Sequence, residues 1–458
     1  MTLDLSATIA VTRFGLGARS GEIARAKADP RGYLLAQITP KGAAQPRPDA
    51  PDSAERLADL RAFQQLRKTA RREGDLKSDP VRMAQVGLRE DAEGDFLARA
   101  RLGASTDATF AERWANFWAN HFTVSAVKEA TVPLVGPFEA EAIRPRVFGR
   151  FEDMLVASSQ HPAMLLYLDQ AQSVGPGSPL AQRAAKNGRG PGLNENLARE
   201  IMELHTVGVD AGYTQADVTE FARAMTGWSI GRLDHQEEPQ GFMFRPFAHE
   251  PGARTIMGRR YGEDGEGQAR AVLKDLAASP HTARHLATKI GRHFVSDEPP
   301  AKLTERLTRA YMDGRGQLDL VAQALINAPE AWSTQSSKFK TPYEFLVSSW
   351  RAAEFLPADA GPLSRTLNEM GQRPFSAPSP KGWPEEAQVW CAPDAVIKRM
   401  AWSEGFAAQA VGQRDPTTLA QNALGARLTP MAAAAIARAE TRSEGLSILL
   451  MSPEFQRR

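Results

Sequence analysis

Residues 194–205 read Asn-Glu-Asn-Leu-Ala-Arg-Glu-Ile-Met-Glu-Leu-His, which sets amides, acids and a histidine beside an apolar stripe in one expected helix. At about 100° per residue, Asn196, Glu200 and Glu203 fall within roughly 60° of one another, and Leu197, Ile201 and Leu204 form the neighbouring stripe. Two carboxylates and an amide at the edge of a buried surface are the groups from which metal sites and acid–base sites are built. His205 projects to the far side of an ideal helix. It joins the cluster only where the helix ends or the chain folds back.

His121, His161 and His249 also lie in segments rich in acids or amides. Glu200 and Glu203 with His249, and with His121 or His161, are the expected holders of a divalent ion that activates water for hydrolysis. Glu250 or His205 would then be the spare acid–base group. No spacing is diagnostic, because the chain has neither a His-Glu-x-x-His run nor an EF-hand loop. Two other readings stay open: metal-free acid–base work, and ion pairs from Glu195 to Arg199 and Arg199 to Glu203 on a solvated face.

Arg183, Lys186 and Arg189 belong to a Gly-rich stretch that runs into the amino end of this helix, where free N–H groups and the helix dipole favour an anion. The stretch lacks Walker spacing, and a loop needing only solubility has the same composition. Thr214 and Asp217 have the spacing of a capping box, which gives Asp217 a structural role. Residues 227–231 match Gly-x-Ser-x-Gly. A helix precedes them where a nucleophile elbow needs a strand, so the glycines read as a helix stop and a turn around Ser229. Cys391 is the single cysteine, which excludes an internal disulfide and thiolate metal centres made by this chain alone.

The elements that must position these groups are helical. Ala, Leu, Glu, Arg and Gln recur with 3.6-residue periodicity and alternating β-branched runs are scarce, so a mainly α, multi-helix body with long irregular loops is expected. Helices are expected over 54–73, 79–101, 107–122, 267–278, 280–294, 303–312 and 318–328, with another opened by Pro342. Residues 172–192 and 371–393 carry too many Gly and Pro for regular structure, and 231–261 is the place for a small strand or hairpin. The expected division is an N-terminal helical segment and linker (1–75), a central helical domain with the polar cluster (76–355) and a C-terminal Pro-rich segment with helices (356–458). Lys and Arg total 56 against 54 Asp and Glu, which gives no global argument for nucleic acid. No apolar run reaches the length of a membrane span, and the first residues lack the pattern of a secretory leader, so a cytoplasmic location is expected.

Several segments together resemble the bacterial domain-of-unknown-function 1800 family: Phe14-Gly15-Leu16-Gly17, residues 121–125 (His-Phe-Thr-Val-Ser), 161–165 (His-Pro-Ala-Met-Leu), the 194–205 helix, 213–218, Thr226-Gly227-Trp228, 292–295 (Arg-His-Phe-Val) and Gly382-Trp383-Pro384. They occur in the family's order along almost the whole chain. The resemblance implies a large helical body and no established reaction. It also implies partnership with proteins of another uncharacterised family, domain-of-unknown-function 1501, which resembles alkaline phosphatases and sulfatases. Some of these neighbours are exported, so export with a partner is a second expectation. The alternative function is therefore a noncatalytic partner or maturation factor.

Overall fold

A computed structural model of the chain describes residues 1–185, 192–231, 238 and 240–458. Helix makes up 64 % of it, and the sheets among the described residues are two antiparallel pairs, so the class is mainly α. Local chemistry explains the helix ends. Asp52 and Glu55 form a capping box at the start of Ser53–Glu73, and Gly74, at φ 77°, stops that helix. Thr341 and Glu344 cap Pro342–Ala352 in the same way, with Pro342 in the first turn. Thr214 and Asp217 form the expected box on Gln215–Met225.

The aromatic stretch yields β1 (Trp228–Ile230) paired with β2 (Phe242–Phe244), and β3 (Arg254–Ile256) forms a tight hairpin with β4 (Arg259–Tyr261). Ser229 sits in β1 and its hydroxyl donates to the Ala171 carbonyl, 2.9 Å away, as a structural tie. Two expected irregular stretches contain short helices. Pro179–Ala185 forms because Ser178 accepts from the Ala181 N–H, and Ala387–Trp390 interrupts residues 371–393.

The acidic helix departs most from expectation. It is α only over Asn196–Glu200 and then widens into a π turn, Ile201–His205. The wider turn changes the phase of every following side chain. His205, placed on the far side by an ideal helix, is thereby 1 % exposed.

Apolar side chains form two main cores. One gathers residues from Ala7 to Trp332 around Trp114, Trp118 and Phe294. The other joins Leu16 and Phe96 to side chains from Tyr343 to Phe455. Buried ions stitch distant segments together. Arg351 donates to both Glu22 oxygens and to the carbonyls of Gly17, Gly103, Ala104 and Thr106. No helix among the described residues is long and apolar enough to cross a membrane.

Candidate functional site

The residues expected to bind metal are not brought to one place. The three histidines each have their own local bonding. His161 Nδ1 accepts from the Ala163 N–H at the start of a helix, which puts the ring proton on Nε2, 3.3 Å from Glu141 Oε2. Burial opposes the charge on Glu141, but hydrogen bonds from His161 and Ser53 hold its carboxyl below the usual range. His249 Nδ1 donates to the Thr226 carbonyl at 2.8 Å. Glu250 accepts from the Gly177 N–H and its own N–H donates to Thr226 Oγ1, so it latches one turn to another.

Glu200 and Glu203 do stay neighbours. Burial and the Glu203 charge raise the Glu200 carboxyl above its ordinary value. The expected ion pair of Glu195 with Arg199 is present at 3.1 Å. Among the described residues, no group of three or more His, Cys, Asp or Glu side chains is arranged to hold a metal ion. The set Glu200, Glu203, His249, His121 and His161 therefore does not form a metal centre. Arg183 is exposed on the Pro179–Ala185 helix, and Lys186 and Arg189 lie outside the described residues.

His121 and His205 do meet, with ring centroids 5.9 Å apart. His121 Nε2 donates to the His205 carbonyl at 3.1 Å, and His285 Nε2 donates to the Leu204 carbonyl at 3.0 Å. Two imidazoles thus satisfy carbonyls at the carboxyl end of the π turn, which a helix end leaves without partners. Burial pushes His205 down to about 3 and His285 to about 4, with Lys289 adding to both, and it takes His121 well below the ordinary histidine value. All three rings are neutral at pH 7.

The helix Pro280–Phe294 carries His285, Lys289 and His293 at four-residue steps, on one face. His293 Nδ1 lies 2.8 Å from Glu385 Oε1. Its Nε2 has no protein partner, nor does the second Glu385 oxygen. Burial, against the opposing carboxylate, lowers His293; burial disfavours the Glu385 charge, yet His293, Lys338 and Arg458 bring it down to about 2. The pair is therefore a neutral imidazole that donates from Nδ1 to a carboxylate and keeps a lone pair on Nε2.

The segment bearing Glu385 is fixed from several sides. Asn120 exchanges two hydrogen bonds with the backbone of Trp383, at 2.7 and 3.0 Å. Gly382 holds φ 86°, and a β-carbon there would meet the Asn120 carbonyl oxygen at 2.5 Å, so glycine is required. Lys338 donates to the Glu385 carbonyl and to Asp297, and Asp297 accepts from the Ala387 N–H. On the other side, Arg458 donates to the His293 carbonyl at 2.6 Å and pairs with Glu344, which also holds Arg113.

His293, Glu385, Arg113, Asn116 and Glu344 line a cavity of about 70 Å³, room for a few waters or one small polar group. Neither amide atom of Asn116 has a protein partner. A second cavity shares Arg99, Asn120, Tyr343, Gln372 and Trp383 with the first, and it shares Arg373, Pro374 and Phe375 with a surface groove of about 820 Å³. A base, a polar amide and a guanidinium thus meet in a sheltered space that adjoins an outer groove. Sequence reasoning passed over Asn116, Lys289, His293 and Glu385. The four-residue repeat of His285, Lys289 and His293 was a usable signal, but Glu385 has no local signature.

Nothing among curated proteins or solved structures matches the chain. One family model, described as a protein of unknown function (DUF1800), matches residues 9–457, so the chain belongs to that family.

Proposed function

We propose that this protein is an enzyme of the acid–base type, a hydrolase in which His293 accepts the proton of water. The single observation that carries this reading is the His293 imidazole, bonded through Nδ1 to a charged Glu385 while Nε2 lies free of protein partners at the cavity. Glu385 fixes the tautomer and steadies the imidazolium that forms as Nε2 takes the proton. Asn116 and Arg113 are the groups placed to orient a polar substrate and to face negative charge developing on it. His293 thus takes over the activation of water that the sequence reading gave to a divalent ion.

The test uses p-nitrophenyl acetate, butyrate, phosphate and sulfate as probes. Hydrolysis of at least one should fall by about 10²-fold or more in His293→Gln, as expected for loss of a general base. Wild type no faster than His293→Gln on every probe, with both proteins folded by circular dichroism, overturns the reading.

The second reading, a noncatalytic partner of a domain-of-unknown-function 1501 protein, is favoured by exposed Val389, Ile397 and Met400 near the Pro-rich segment. Co-purification lost in Ile397→Glu with Met400→Glu, but kept in His293→Gln, supports it. Absence of association at any salt concentration counts against it.

A further inference from the structure

The helix Asp79–Ser105 turns Gln85, Arg89 and Glu93 to one side at four-residue steps, beside Leu88 and Ala92. The helix Ala360–Glu369 packs against it and adds Ser364, Arg365 and Asn368, and the loop that follows brings Arg373, Pro374 and Phe375. These three elements help enclose the outer groove of about 820 Å³, a volume that suits a whole small molecule. Arg89, Arg365 and Arg373 all line it, and among the described residues none of the three guanidiniums has a hydrogen bond or an ion pair. Unpaired arginines also stand elsewhere on the surface, as Arg309 and Arg438 do, but these three converge from separate elements on one concave space. Of the acids lining the groove, Glu129 is held by Arg67 at 2.5 Å and meets Gln85 at 3.5 Å, which leaves Glu93 as the carboxylate that opposes three cations. Guanidiniums keep their charge at any ordinary pH, so the groove is positive.

The groove has apolar walls as well as a charged rim. Leu88 and Ala92 are buried against it, Val127 is exposed on it, and the Phe375 ring meets Phe96 edge-on with centroids 5.1 Å apart. Phe375 holds φ 48°, a left-handed backbone that an aromatic residue adopts only at a cost. Its carbonyl accepts from the Ala126 N–H at 2.7 Å, and the Ala377 carbonyl accepts from Ser125 Oγ at 2.9 Å, so this wall is fixed before any ligand arrives. Phe375 lines both the groove and the cavity that adjoins the His293 space. We propose that the groove binds a small molecule with an apolar body and a phosphate, sulfate or carboxylate group, the body against Phe375 and Val127 and the anion on Arg89, Arg365 and Arg373. Calling this molecule the substrate rests on the hydrolase reading; its binding does not involve His293.

Isothermal titration of the full-length protein at neutral pH uses naphthyl phosphate, naphthyl sulfate, naphthoate and uncharged naphthol as probes. At least one anion should bind ~10-fold or more tighter than naphthol, and the tightest of the three identifies the anionic group. Arg89→Gln with Arg365→Gln should lower that affinity ~10-fold or more. Arg309→Gln with Arg438→Gln removes the same charge away from the groove and should leave the affinity unchanged. All four side chains are exposed and unpaired, so both double variants should keep the wild-type circular dichroism spectrum. Binding should persist in His293→Gln, which separates this inference from the hydrolase reading, since that reading can fail while the groove still holds its anion. Anions that bind no tighter than naphthol, or double variants that bind alike, overturn the inference.

Discussion

Arg144 and Glu112 face each other with two parallel hydrogen bonds of 2.8 Å, both side chains almost wholly removed from solvent. Glu139 takes a third Arg144 nitrogen at 2.8 Å and also binds Arg99, so two guanidiniums share two carboxylates beneath the site. Glu112→Gln leaves the Arg144 charge with a poorer partner in a dry environment. Urea denaturation should record a loss of about 3–5 kcal/mol. A change below about 1 kcal/mol would mean that water reaches this pair.

Acid should unfold the protein earlier than carboxylate chemistry alone requires. His121, His205 and His285 have folded-state values below the ordinary 6.5, lowered by burial to about 3 for His205 and about 4 for His285. Below pH 6.5 the unfolded chain binds protons that these folded rings refuse, so stability drops as pH falls from 6.5 toward those values. Each ring contributes up to about 1.4 kcal/mol per pH unit in that window. Denaturation midpoints from pH 7.5 to 5 should slope downward, and His205→Leu should flatten the slope. Parallel curves for the two proteins would contradict the neutral assignment.

The same logic fixes the pH profile of the proposed hydrolysis. A base is lost when its lone pair is protonated, and burial puts that event for His293 below the ordinary histidine value. The acid limb of kcat/KM for a p-nitrophenyl ester should therefore fall below pH 6.5, and Glu385→Gln should reduce the rate by about 10²-fold or more while altering that limb. A limb centred at or above 6.5 would assign the proton to another group.

The hairpin between β3 and β4 invites a stabilising change. Met257 and Gly258 form its two-residue turn, with φ of 48° and 76°. Such turns favour Asn-Gly, and Met257 is exposed, so little packing depends on its side chain. Met257→Asn should stabilise by about 0.5–1 kcal/mol, measured by thermal unfolding. A lower midpoint would show that the Met257 side chain matters more than its backbone.

Much of the helical body was legible in the sequence because periodicity and caps are local. Thr214 with Asp217 marks a helix start, and the Gly- and Pro-rich stretches mark breaks. The site was less legible for two physical reasons. His293 and Glu385 are separated by 92 positions, and their pairing follows from packing that no local spacing records. The π turn at Ile201–His205 has no sequence signature, so the inward rotation of His205 could not be read from an ideal helix. The histidines chosen from acid-rich surroundings, His161 and His249, proved to be occupied by neighbouring backbone groups.

Phe375 packs against both hydrophobic cores, and the cavity beside His293 is lined by Leu16 and Tyr343 from one of them and by a residue adjoining Phe294 of the other. The reactive groups therefore hang on a seam between two independently packed masses, with no scaffold of their own. Loosening either mass at a remote apolar side chain will disturb the alignment of imidazole, carboxylate and amide before it melts the protein, so damage at a distance should silence the chemistry first.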